Sequence, residues 1–180
     1  MITTNDLLES FQKIFPSIPF QADGDFIGAF VQGPHYSFEC VTALHQPAEE
    51  GALQYIEYWL WFGDQNQSRF CLSGMDEIPL ALALYELHRM FEFGTLRTRQ
   101  CEDGAVNIAL FRTIEVSSQD LLTESFVPES SRVARYQSQL IMEAKSVTDV
   151  IAGLASNQIT SHLAIRQFLQ MSDTTGLVAS

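Results

Sequence analysis

The chain has 180 residues, 46% apolar and 18% charged, and its 22 acidic and 10 basic side chains give a formal net charge of −12. That length fits one domain with a real core, and the composition is not that of a disordered chain. The acidic balance argues against binding nucleic acid through its phosphates, which needs a basic surface, and against docking on an anionic membrane.

Residues 4–15 read as a helix. Thr4 or Asn5 can cap it, and Asp6 and Glu9 suit the positive end of its dipole. Leu7, Leu8, Phe11, Ile14 and Phe15 form one apolar stripe, and Pro16 ends the run. Asp23-Gly24 marks a turn into a first strand, Phe26 to Val31, which Gly33-Pro34 breaks. Tyr36 to Leu44 is a second strand, with Tyr36, Phe38, Cys40 and Leu44 on one face. Leu53 to Phe62 is a third, rich in β-formers. It contains YIEYWLWFGD, with both tryptophans of the chain and one interior charge, Glu57. By alternation Tyr55, Glu57, Trp59 and Trp61 point one way, and Ile56, Tyr58, Leu60 and Phe62 the other. A half-solvated strand should be polar on one side. This one is apolar on nearly both, so its second face needs a cover.

Arg69 to Leu72 reads as a short return strand or a lead into the next helix. In MDEIPLALALYELHRMFEFG, Asp76 can cap a second helix, Pro79 fits its first turn and Gly94 stops it. Leu80, Leu84, Leu87 and Phe91 recur on one face. Asp103-Gly104 then joins the two strands of a hairpin. Val106, Ile108, Leu110, Ile114 and Val116 share one face of its second strand, interrupted by Arg112. A connector over residues 117–130 leads to a long helix from about Ser131, with Val133, Tyr136, Leu140, Ala144, Val147, Ile151 and Leu154 on its stripe. A weaker helix covers Ile159 to Leu169, and the last ten residues have little reason to be ordered. The expected class is α+β: an antiparallel sheet with helices packed on one face, in the order α-βββ-α-ββ-α plus a C-terminal helical tail. Residues 1–155 make a single domain on this reading, and 156–180 a helical or flexible tail. The other sheet face falls to a partner, to the tail or to a second copy.

Specific chemistry is hard to find. The four histidines, His35, His45, His88 and His162, form no HxxxH or HExxH pair, so no metal and no cofactor are expected. Cys40, Cys71 and Cys101 are widely spaced and odd in number. They point to neither a zinc ribbon nor a disulfide framework, and a reducing cytoplasm is the natural compartment. A Cys–His pair built on Cys40 or Cys71 is conceivable, but Cys40 alternates with apolar neighbours as a core residue does. Asp76-Glu77 sits at a helix start and Glu49-Glu50 in a loop, where dipole and solvent explain them. Phosphate-cradling and nucleophile-elbow motifs are missing. The N-terminus lacks the basic and apolar regions of a secretory signal, and no apolar run approaches the ~20 residues that span a bilayer. What stands out is apolar, aromatic surface on an acidic body, the usual mark of a partner site.

Three stretches carry a resemblance: LLESFQKIFPSIPFQADGDF, IPLALALYELHRMFEFGTLRTRQCEDGAVNIALFRTIEV and SVTDVIAGLA. Over roughly residues 4–155 the order of elements is similar to that of the small, acidic, dimeric chaperones of type III secretion effectors, and of the YbjN-like family. The family is usually shorter, so the tail is extra. The resemblance implies a non-enzymatic homodimer that keeps a protein client, a secretion substrate, soluble and partly unfolded. Leu7, Phe11, Tyr55, Trp59 and Trp61 would contact the client. Leu80, Leu84, Leu87 and Phe91 would build the dimer or the core beneath it. The alternatives are an acidic immunity or inhibitor protein that binds a toxin, and a YbjN-like regulatory protein.

Overall fold

The computed structural model describes residues 2–33, 37–46, 54–63, 69–70, 72, 77–102, 106–116, 132–156 and 158–174. Helix α1 spans Thr4–Ile14, and four strands follow: β1 (Gln21–Asp23), β2 (Phe26–Gln32), β3 (Ser37–His45) and β4 (Gln54–Gly63). Next come α2 (Glu77–Arg89), β5 (Thr95–Gln100), β6 (Val106–Val116), α3 (Arg132–Ala155) and α4 (Ser161–Thr174). The strands form one sheet in the order β1-β2-β3-β4-β6-β5, antiparallel throughout. The class is α+β, as the alternating and helical periods require.

Helix α1 is capped by Thr3, not by Thr4 or Asn5. The Thr3 side chain accepts from the Asp6 backbone N–H, and the Asp6 carboxylate accepts from the Thr3 N–H at 2.8 Å. This reciprocal box satisfies two of the donors that a helix start leaves open. The Thr3 hydroxyl and N–H together hold the Asp6 carboxyl below the ordinary carboxylate range. The stripe of α1 is buried: Leu7 and Phe11 are inaccessible, and the Phe11 ring lies 5.0 Å from Phe20 and 6.5 Å from Tyr58.

One sheet face carries the core. Ile27, Phe38, Cys40, Ile56, Tyr58, Leu60, Phe62, Ile108 and Leu110 are buried there, with Val133, Leu140, Ala144 and Val147 of α3 in the same cluster. Arg112 interrupts this face, as its position in the alternation requires. Its guanidinium lies 5.3 Å over the Tyr136 ring and donates to the Phe93 carbonyl at 2.8 Å. Those contacts let a cation sit at the margin of a core.

Two further features differ from expectation. β1 is additional, a three-residue strand that Gly24, at φ +61, turns back onto β2. Gly94 does not stop α2, which ends at Arg89. A Cβ on Gly94 would meet Leu140 Cδ2 at 2.8 Å and Leu110 Cδ2 at 3.3 Å, so this glycine serves close packing. The segment around Arg69–Leu72 contributes isolated bridges, Gly63↔Arg69 and Leu72↔Val106. The Asp76 cap, the Asp103-Gly104 turn, the 117–130 connector, His35, Cys71 and residues 175–180 lie outside the described residues. Among the described residues no helix is long and apolar enough to cross a membrane.

Candidate functional site

Two surfaces follow from this architecture. The first is the sheet face opposite the core. Register places Glu39 beside Trp61, Val41 beside Trp59, Ala43 beside Glu57 and His45 beside Tyr55. On the other side of β4, Trp59 pairs with Phe111 and Tyr55 with Glu115. The two indoles stack in parallel, 5.4 Å apart and 5° from coplanar, and Phe111 lies 4.4 Å from Trp59. Arginines cap both ends of this row. Arg69 lies 4.3 Å over Trp61 and donates to Glu39 at 2.5 Å, and Arg97 lies 5.2 Å over Phe111. Trp61 therefore keeps only 6% of its surface in solvent. The missing cover of the aromatic strand is supplied partly by the chain itself, through cation–π contacts. Of the large apolar side chains described on this face, Phe26, 53% exposed, and Tyr55, 37% exposed and stacked on His45, stay open.

The second surface is the outer edge of β2. β1 covers it only from Phe26 to Gly28. The same register extended by one step would put Pro19 opposite Phe30, and proline has no N–H for a ladder. The Phe20 N–H instead turns back to the Ile18 carbonyl at 2.9 Å, which carries the chain away. The Leu44 N–H donates to the Asp25 carbonyl, so odd-numbered residues of β2 bond to β3 and even-numbered ones face outward. The backbone N–H and C=O of Phe30 thus point out of the sheet. Beside them opens a cavity of about 390 Å³, lined by Phe15, Ser17 and Ile18 after α1, by Phe30, Val31 and Gln32, and by Ser138, Ile141, Met142 and Lys145 of α3. That volume falls in the range of real ligand pockets. Met142 is 68% exposed at its rim.

The expected site residues are not brought together in one place. Tyr55, Trp59 and Trp61 share the open face. Leu7 and Phe11 are buried under α1 and have no surface to offer a client, because the stripe that holds a helix to a sheet cannot also be a docking face. Of the α2 set, Leu87 is buried, and Leu80, Leu84 and Phe91 are partly buried against the core. α4 packs on α2, with Ala164 and Phe168 buried, so the stripe of α2 lies under the chain's own tail. The edge site was missed because its parts lie far apart in sequence. The Pro19 spacing is the one local signal that could have pointed to it.

For nucleophilic chemistry the geometry is unfavourable at Cys40. Burial pushes its thiol up to about 12, and a contact from Gln137 that works the other way does not offset this. Cys101 is half-buried and donates to the Asn107 side chain at 3.3 Å. Among the described residues no group of His, Cys, Asp and Glu is placed to hold a metal. Comparison of the chain with protein-family models, with curated proteins and with solved structures returns no match.

Proposed function

We propose that this protein is a non-enzymatic binding protein of chaperone type, which takes an extended apolar segment of a client protein along the outer edge of β2. The observation that carries the reading is the outward Phe30 backbone beside the cavity between α1, β2 and α3. An extended segment added there gains ladder hydrogen bonds and places alternate side chains toward the cavity. One net hydrogen bond contributes about 1 kcal/mol, whereas burying one Leu or Phe side chain contributes about 2 kcal/mol. The short free edge therefore sets register, and the cavity sets affinity. The net charge of −12 would keep a complex with an apolar client soluble. The resemblance of the sequence to secretion chaperones points the same way.

An array of decapeptides with alternating apolar and polar residues, probed with the whole chain, tests the proposal. Met142→Asp and Phe30→Pro are each expected to weaken capture at least ~tenfold, or about 1.4 kcal/mol. Neither touches the β2–β3 ladder, because Phe30 faces outward and Met142 is on the surface. Capture that both variants retain, with circular dichroism unchanged, would overturn the reading. The homodimer that the resemblance implies would have to displace α4 if it used the stripe of α2, and light scattering at tens of micromolar would detect it.

A further inference from the structure

The lane beside β2 is closed at one end. β1 fills it opposite Phe26–Gly28, and one step further the same register sets Phe20 level with Ala29. Phe20 is firmly held there. It keeps 2% of its surface in solvent, its ring lies 5.0 Å from Phe11 and 6.0 Å from Phe15, and its carbonyl accepts from Gln12 Nε2 at 3.4 Å. A strand added against Phe30 can therefore extend toward Gln32 and not toward Ala29. Helix α3 runs alongside. The Val133 carbonyl accepts from Tyr58, level with Ile27; Gln137 bonds to Cys40, level with Ala29; and Ile141 lines the cavity together with Val31. Lys145 follows one turn later and lines the same cavity, the one charged side chain among its described lining residues. Helical side chains lean toward the helix N-terminus, so that of Lys145 leans back toward Ile141 and the closed end of the lane. Ser17 and Ser138 add hydroxyls to the same lining.

We propose that the edge of β2 takes the C-terminal end of a partner protein, antiparallel to β2, with its terminal carboxylate opposite Phe30 and beside Lys145. This rests on the reading of that edge as a strand-binding site. In an antiparallel pair the last residue of the partner donates its N–H to the Phe30 carbonyl, and its carboxylate, standing where a carbonyl would, accepts from the Phe30 N–H. The residue before it turns its side chain toward α3, where Ile141 and Met142 line the cavity. An internal segment laid in the same register would run into Phe20. A parallel strand would bring an N-terminal ammonium to Lys145, which repels it. The closed lane thus selects a chain end, and charge selects which end. The net charge of −12 acts over the whole body and is screened within about 8 Å at physiological salt, so the pull of Lys145 is local. The plainer reading is that Lys145 is a solvated rim lysine and that a client leaves the sheet after Phe30.

A decapeptide ending Leu-Thr-Leu-Thr, labelled with a dye at its N-terminus, tests this by fluorescence anisotropy with the whole chain. It is made as the free acid, as the C-terminal amide, and as a free acid extended by Gly-Ser-Gly-Ser. The free acid is expected to bind about tenfold tighter than either other form, the equivalent of about 1.4 kcal/mol. Lys145→Gln, an exposed change whose fold circular dichroism confirms, is expected to remove that advantage over the amide and to leave the amide's own affinity unchanged. An extended form that binds as tightly as the free acid would show that the lane is not closed. An amide that matches the free acid, or an advantage that survives in Lys145→Gln, would show that the carboxylate is not read. Each of these overturns this proposal alone, while binding by none of the three forms overturns it together with the reading of the β2 edge.

Discussion

Trp61 shows how a sequence reading and a structure divide the work. Alternation placed its side chain correctly, on the face away from the core. Its cover, Arg69, lies on the return segment, and no period relates the two residues. Arg69→Ala is expected to expose Trp61, red-shift its emission and cost about 1 kcal/mol, checked by fluorescence and urea denaturation. Unchanged emission would mean that the guanidinium does not shield the ring. Cys40 gives a second test at this scale. Burial raises its thiol from an ordinary 9.0 to about 12 in the fold. The folded state therefore keeps a proton that the unfolded chain gives up. This contribution to stability is intact below pH 9 and is eroded as pH rises from there toward 12. Iodoacetamide at pH 8 should leave Cys40 unmodified until denaturant is added, with peptide mass mapping as the readout.

At the scale of elements, the structure is tied together by side chains that finish the backbone of a neighbour. The Glu143 carboxylate of α3 accepts from the backbone N–H groups of Glu92, Phe93 and Gly94, at 2.8, 2.7 and 2.9 Å. It fastens the link between α2 and β5 to α3. Glu143→Ala would leave those donors without a protein partner, at an expected cost of about 2 kcal/mol, measured by urea denaturation. Gly94→Ala would cost a similar ~1–3 kcal/mol through overpacking against Leu140 and Leu110. Neither effect is legible in sequence, because Glu143 lies 49 residues from Gly94. What was legible is the period: the stripes of α1 and α3, and both faces of β4. Where one period served two purposes the reading failed. The apolar run of α1 reads as core first and as a docking surface second; the resemblance gave Leu7 and Phe11 to a client, and both are buried in the core. The tail read as a weak helix, yet Phe168 is buried in the common core. Phe168→Ala is expected to cost about 3 kcal/mol, and the thermal midpoint would report it.

At the scale of the molecule, the sheet has a filled face, a face capped by its own arginines, and an edge where β1 does not reach Phe30. The class was legible because strand and helix periods alternate along the chain. The strand order was not, since β6 inserts between β4 and β5 and no local pattern encodes that. Nor was the edge, which depends on β1, a strand too short to stand out. The account rests on that edge being free to accept a strand, and amide hydrogen exchange in the unliganded protein measures this directly. The ladder predicts slow exchange at Ala29 and Val31, whose N–H groups face β3, and fast exchange at Phe30 between them. A decapeptide captured from the array should then slow Phe30 selectively. A Phe30 amide already as protected as its two neighbours, or one that a bound peptide leaves fast, would contradict the account.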